Sequence, residues 1–337
     1  MIIDCHGHYT TAPAQHEAWR KEQIDAKGDL SKMSAKEPVV SDDELRDSVA
    51  NTQLRLQQER GTDMTIFSPR AGGMGHHIGD EKMSIQWTRI CNDQIKRICD
   101  MFPNNFAPVG QLPQSPGCSP SNSIPELERL VNDLGFIGVN LNPDPSGGHW
   151  TDPPLTDPWW FDLYAKLEEL QVPAMIHVSQ SCNPNFHFTG AHYINADTAA
   201  FMQLLQSDLF ERFPKLKLII PHGGGAVPYH WGRYRGIAMG MNRPEPKDMM
   251  GENLYFDTCV YHQPGINLMA EVVPVDNILF ASELHGAVRC KDPDTGEWFD
   301  DTRRYIDATA NLTAEEKEKV FYKNALKVFS RLKLPAA

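Results

Sequence analysis

The chain has no run of about 18 apolar residues, the length a helix needs to cross a bilayer, so a membrane-spanning helix is excluded. Its first residues, MIIDCHGHY, lack the basic segment and the 7–15-residue apolar stretch of a secretory signal, and the expected location is the cytoplasm. No block of Lys or Arg offsets the acidic excess. The 32 basic and 44 acidic residues leave a net charge of −12, and like charges repel, so neither nucleic acid nor an anionic membrane is expected as a partner. A C-x-x-C pair is also missing. The seven cysteines (Cys5, Cys91, Cys99, Cys118, Cys182, Cys259 and Cys290) are odd in number and scattered, which fits reduced, mostly buried thiols rather than a disulfide framework. There is no internal repeat.

What remains is a chain long enough to bury a large core. Eight short β-rich runs recur between turn residues: 1–4, 64–68, 106–111, 136–141, 173–177, 216–220, 254–257 and 278–281. Most are continuously apolar rather than alternating, as parallel strands covered on both faces are. Helical patterns separate them. Ser41 and Glu44 form a capping box ahead of Leu45, Val49 and Leu56; residues 82–102 place Met83, Trp87, Cys91, Ile95 and Ile98 on one face; 127–134, 161–170, 196–213 and 313–329 continue the alternation. Eight strands alternating with helices predict an α/β fold, the (β/α)8 TIM barrel, as one domain over residues 1–337. Two segments exceed a minimal barrel: an insertion at 9–62 after strand one, and the Pro-, Gly- and Trp-rich 142–160 after strand four. Loops after strands lie at the catalytic face of this fold, so both are expected as lids or dimer contacts.

The chemistry concentrates at strand ends. His6 and His8 are two residues apart in an extended segment, so both imidazoles project to one side and can meet one cation. The fifth run ends at His177, the sixth leads into Pro221-His222-Gly223-Gly224, and the eighth into Ala281-Ser282-Glu283-Leu284. In a barrel these four ends share one mouth. Imidazole and carboxylate donors without cysteine suit Zn2+, with Mn2+ or Fe2+ next.

These residues resemble the amidohydrolase superfamily, in the subgroup of aminocarboxymuconate semialdehyde decarboxylases and 4-oxalomesaconate hydratases. His6 and His8 match its H-x-H, His177 its strand-five histidine, and His222 its strand-six histidine. Asn140 stands near the place of the bridging lysine of two-metal members, and the absence of lysine there implies one metal per chain. Hydrolases and decarboxylases of the superfamily usually present Asp after strand eight. Glu283, with HYINADTAAF (192–201) and SPRAGGMGHHIGD (68–80), is instead similar to the hydratases. The resemblance implies a hydro-lyase: reversible metal-assisted hydration of a polycarboxylate with a C=C conjugated to a ketone, in aromatic-compound catabolism. Its alternative is decarboxylation of a muconate semialdehyde-like or aromatic acid on the same histidines. It also implies zinc on His6, His8, His177 and Glu283, with Glu283 and His222 as acid and base. The substrate carboxylates would be met by Arg70, Arg233 and Arg289, assisted by His76, Tyr193 and Asn195. A homodimer is the expected assembly.

Overall fold

The structure is a computed structural model and describes residues 1–334. Eight parallel strands stand side by side in chain order: β1 (Ile3–Tyr9), β2 (Met64–Pro69), β3 (Phe106–Gln111), β4 (Gly138–Leu141), β5 (Ala174–Ile176), β6 (Leu218–Ile220), β7 (Leu254–Asp257) and β8 (Ile278–Leu279). The Cys5 amide donates to the Phe280 carbonyl at 2.9 Å, which ties the first strand to the segment leaving the last. With helices between the strands this is the (β/α)8 barrel.

Both faces of the strands are buried, which explains their unbroken apolar runs. Met64, Ile66, Ala107, Val109, Met175 and Ile219 pack inside the barrel. Their neighbours Phe67, Ile176, Ile220 and Phe256 point outward, against the helices. The period of two along each strand thus serves two cores.

The α-helices ahead of the sixth strand are α1 (Ala14–Asp25), α2 (Asp42–Val49), α3 (Arg55–Glu59), α4 (Glu81–Met101), α5 (Ile124–Glu128), α6 (Phe161–Leu170), α7 (Gly190–Leu205) and α8 (Leu209–Arg212). The Ser41–Glu44 capping box forms as expected and opens α2. A π-helical turn, Ala50–Leu54, joins α2 to α3, and the carboxamide of Gln53 within it donates to the His8 carbonyl. The first insertion therefore braces the end of β1. No helix among the described residues is long and apolar enough to cross a membrane.

Three boundaries differ from the sequence reading. β1 does not stop at Asp4 but runs to Tyr9 with every residue buried, so His6 and His8 are strand residues and not loop residues. α1 was missed because its buried face is polar as well as apolar: His16, Trp19, Arg20 and Gln23 leave no apolar stripe to detect. α7 begins at Gly190 rather than 196 and ends at Leu205, with a separate helix at Leu209–Arg212, so the HYINADT segment is helical.

Candidate metal centre and substrate cleft

Four imidazoles meet at the C-terminal end of the barrel, each fixed through Nδ1. His6 Nδ1 donates to Asp257 Oδ2 at 2.7 Å, His177 Nδ1 to the Val178 carbonyl at 2.8 Å, and His222 Nδ1 to Asp197 Oδ2 at 2.8 Å. His8 Nδ1 lies 2.8 Å from Ser68 Oγ. That hydroxyl can only donate to the carbonyls of Gly7 and Pro69, and it accepts from the Asn140 amide, so it accepts from His8 as well. Asn140 thus serves here as support for His8.

With Nδ1 occupied as donor, Nε2 of a neutral ring presents a bare lone pair. His6 Nε2 and His8 Nε2 are 2.9 Å apart, and His8 Nε2 and His177 Nε2 are 3.2 Å apart. Burial first, and then the neighbouring imidazoles, push the His8 and His177 pKa values well below the usual range, so both rings are neutral. Lone pairs facing at these distances repel unless a cation lies between them. The spacing matches the edges of a coordination shell with metal–nitrogen bonds of about 2.0–2.1 Å. Occupied outer nitrogens that orient the inner ones are the usual second layer of a histidine metal site. The residues therefore fit one divalent ion. Donor atoms of His6, His177, His222 and Glu283 also lie within 4.8 Å of one another, which brings His222 closer to the centre than the sequence reading placed it.

Glu283 is buried and left-handed, at φ 49°, as is His222 at φ 52°. Neither has the freedom of glycine, and such backbone costs of order 1–3 kcal/mol each and persists where the surroundings enforce it. Asp4 does so for the Glu283 turn: its carboxylate accepts from the amide and hydroxyl of Ser282 and from the His6 amide. Tyr261 Oη donates toward Glu283 Oε2 at 3.1 Å and the Ser282 carbonyl at 2.9 Å. On its other side Glu283 Oε2 is 3.8 Å from His222 Nε2, which is buried and has no hydrogen-bond partner. Burial alone would lower the His222 pKa, but the Asp197 carboxylate and then Glu283 raise it to about 9. Burial raises Asp197 to about 6, against the pull of His222. At neutral pH the pair is carboxylate and imidazolium.

A cleft of about 260 Å3 opens above these groups, with His8, His177 and Glu283 in its floor and Tyr193, Arg70 and Arg289 in its walls. Tyr193 stacks on His222 at 5.6 Å and meets His177 edge-on at 5.1 Å. Burial first, and then Glu283, push its hydroxyl above the ordinary tyrosine range, so it remains a donor. Burial and the like charge of Arg70 lower the pKa of Arg289. The two guanidiniums make a cationic wall on a chain of net charge −12.

Three expected substrate residues stand elsewhere. Tyr193 faces inward from α7, and Asn195, two positions on and about 200° around the helix, is exposed. Arg233 is exposed on the helix Trp231–Gly240. His76 is buried beneath the surface, its Nδ1 donating to the Gln114 carbonyl at 3.1 Å, outside the cleft wall. Four supporting residues escaped the sequence reading. Asp257 closes β7 and could have been found by the strand-end rule that selected the histidines. Ser68 ends the second run and falls under the same rule, whereas Asp197 and Tyr261 lie at positions with no such signal.

Fold, histidine spacing and donor set define a class, and residues 3–331 match the amidohydrolase family model. The chain belongs to the amidohydrolase family. It is 56% identical to the 2-keto-4-carboxy-3-hexenedioate hydratase of Sphingobium sp. (strain NBRC 103272 / SYK-6), over 98% of this chain and 97% of that one. Its fold superimposes with a TM-score of 0.91 on the crystal structure of the 4-oxalomesaconate hydratase from Rhodopseudomonas palustris, at 55% identity over 98% and 96% of the two chains. The dihydroxybenzoic acid decarboxylase of Polaromonas sp. JS666, solved with manganese and 2-nitroresorcinol, shares the fold at a TM-score of 0.69 but only 20% identity, over 98% of this chain and 96% of that one.

Proposed function

We propose that the protein is a hydro-lyase that interconverts 4-oxalomesaconate and 4-carboxy-4-hydroxy-2-oxoadipate, with one zinc ion per chain on His6, His8, His177 and Glu283. The observation that carries this reading is the pairing of Glu283 and His222, 3.8 Å apart, beneath a wall of two arginines. Hydration of a C=C conjugated to a ketone needs two proton-transfer groups on one reacting pair of carbons. The identity to two hydratases, each above one half, supports the same reading.

A bound divalent cation would supply Lewis acidity to water in the cleft, bringing its pKa toward ~7. The side chains do the rest. Arg70 and Arg289 hold substrate carboxylates through charge-assisted hydrogen bonds, which guanidinium forms in pairs. The Tyr193 hydroxyl donates to the ketone oxygen, where negative charge gathers as the alkene is attacked. His222 exchanges a proton with the incoming or departing oxygen. Glu283 delivers a proton to the carbon beside the ketone in hydration and removes it in dehydration. One hydroxyl and one hydrogen are added across the double bond, and no carbon is lost.

The test is incubation of each partner of the pair in D2O, followed by proton NMR with a CO2 trap. Interconversion with deuterium entering one prochiral position beside the ketone is expected. Stoichiometric CO2, or no interconversion, rules the assignment out.

A further inference from the structure

The turn that carries Glu283 is gripped from outside the cleft. Glu283 and His285, at φ 49° and 57°, are both left-handed, a conformation that residues with a Cβ adopt rarely. They share one four-residue turn, closed by the Gly286 amide on the Glu283 carbonyl, and such backbone persists only where its surroundings enforce it. Asp4 holds the Ser282 side. The His285 side is held by groups that take no part in the proposed proton transfers.

Both backbone groups of His285 are engaged. Its amide donates to Asp300 Oδ2 at 3.0 Å, and its carbonyl accepts from Thr10 Oγ1 at 2.8 Å. Thr10 stands two residues past His8 and accepts in turn from the Gln53 carboxamide at 3.2 Å. Asp300 is gripped by the same insertion: Arg60 Nη2 donates to its Oδ1 at 2.9 Å, and Nη1 to its carbonyl at 3.1 Å. The two side chains are 10% and 4% exposed. Each charge has lost most of its water, so either one left without the other would be strongly unfavourable. Two residues further on, Thr302 Oγ1 donates to the Ala281 carbonyl at 2.7 Å. Residues 300–302 therefore span the turn from Ala281 to His285, and Arg60 clamps them from behind.

Neither Asp300 nor Arg60 lines the cleft, so neither touches substrate, and any effect on turnover passes through the turn. Release of the His285 amide would let its φ return to the right-handed region, which redirects the chain at that residue. The Glu283 carboxylate, two residues back, would then leave Tyr261 and draw away from His222. Arg289 would move with it, since its Nε donates to the Gly286 carbonyl at 2.9 Å. Arg70, which follows strand two, would stay.

We infer that Asp300 and Arg60 are positioning residues: their buried ion pair holds the His285 peptide and thereby aims the Glu283 carboxylate. The inference rests on the hydratase reading and deepens it, because it gives the first insertion a part in placing the group that exchanges the carbon-bound proton. A reacting group misplaced by about 1 Å can cost about 100-fold in rate. A pair remote from the substrate can therefore govern turnover, and its loss should fall on kcat more than on KM, since Arg70 still holds a carboxylate.

The experiment is steady-state hydration of 4-oxalomesaconate by the metal-loaded parent, Asp300→Asn, Arg60→Met, Arg60→Lys and the double variant Arg60→Met/Asp300→Asn, with rates taken per bound metal ion and well below each Tm. Asp300→Asn and Arg60→Met should each lower kcat by about 10- to 100-fold and raise KM by less than kcat falls. The double variant should be no slower than the slower single, because both substitutions break one pair and such losses do not add. Arg60→Lys keeps the charge but loses one of two donors, so it should fall between Arg60→Met and the parent. Amide hydrogen exchange of the segment 282–287 should quicken in Asp300→Asn with or without metal. If circular dichroism shows Arg60→Met misfolded, Asp300→Asn decides alone. A pair that only stabilises the fold would lower Tm and leave kcat near the parent value. That result, losses that multiply in the double variant, or unchanged exchange of the turn overturns the inference and leaves the hydratase reading standing. A parent that does not hydrate the substrate overturns both.

Discussion

Nδ1 of His6 and Oδ2 of Asp257 lie 2.7 Å apart although 251 positions separate them in the chain. A carboxylate can only accept, so this contact sets the His6 tautomer and turns Nε2 toward the other imidazoles. Asp257 also accepts from the amides of Gly223 and Cys259, which fixes its own orientation. Burial alone would raise the Asp257 pKa, but the bond from His6 and the surrounding charge lower it, so it stays ionised. Asp257→Asn leaves the shape but loses the charge and permits the wrong tautomer. Outer partners of this kind typically contribute 10–100-fold to metal affinity. A loss of that size is expected in competition against a chelator of known affinity, while the far-ultraviolet spectrum stays unchanged. An unaltered affinity would show that His6 needs no such partner.

Metal content should be close to one divalent ion per chain. His6, His8 and His177 converge on one point, and Asn140, which the family resemblance sets near the place of a bridging lysine, is bonded to Ser68. Elemental analysis of protein purified without added metal checks the number, and zinc is the expected element. Because the ion binds the folded chain, its removal should also lower the Tm, and readdition should restore it. A reproducible content near two, or a content unchanged in a His6→Ala/His177→Ala variant, contradicts the site.

The barrel and its histidines were legible because both arise from local pattern. Continuous apolar runs encode strands buried on two faces, and in this fold chemistry sits where strands end. What supports the site was not legible, because it depends on pairings between distant segments. Asp197 reaches His222 from α7, and Gln53 reaches the His8 carbonyl from a π-turn in the first insertion. Helix α1 hid for a related reason. Its buried His16, Arg20 and Gln23 are polar, and periodicity in hydrophobicity cannot detect a helix that turns such residues inward. The helix expected at 196–213 starts one residue past Asn195 and so leaves the facing of Asn195 open, whereas the helix from Gly190 fixes it. A helix allows Tyr193 to face the cleft only by turning Asn195 away.

Stability should fall as pH falls below neutrality, and His76 should contribute. Burial lowers its pKa to about 4, opposed by the Gln114 carbonyl and assisted by the charge of Arg20. An unfolded histidine titrates near 6.5. Above that value both states are neutral and His76 adds no pH dependence. Between about 6.5 and 4 the unfolded chain takes up a proton that the folded one refuses, so stability drops by about 1.4 kcal/mol per pH unit for this group. Below about 4 the loss levels off. Urea unfolding of the metal-loaded protein at pH 7, 6 and 5 measures the slope, and His76→Gln should flatten it by that amount. Equal slopes in the two proteins would mean that His76 is protonated, or exposed, in the folded chain.

The last expectation concerns how Glu283 is held. Its carboxylate is placed by a turn in which Ser282 is tied to Asp4, Glu283 adopts a left-handed backbone, and the Gly286 amide donates to the Glu283 carbonyl at 2.8 Å. The turn is closed so tightly that a Cβ on Gly286 would fall 2.6 Å from that carbonyl oxygen and 2.7 Å from Cγ and Cδ of the Glu283 side chain. Backbone oxygen cannot yield as a flexible side chain can, so Gly286→Ala must displace the carboxylate or open the turn. Glu283→Gln makes the complementary change, keeping the shape and an oxygen donor while removing the carboxylate. If proton transfer is the role of Glu283, Glu283→Gln should lower kcat by about 10²–10⁴-fold while most of the metal stays bound, because positioned acid–base groups contribute on that scale. Gly286→Ala should also lower kcat, but through a misplaced carboxylate, so it should still exchange deuterium into the product, slowly, where Glu283→Gln should exchange none. Near-normal turnover by Glu283→Gln, or a loss that follows its zinc content alone, would make the carboxylate a metal ligand and nothing more.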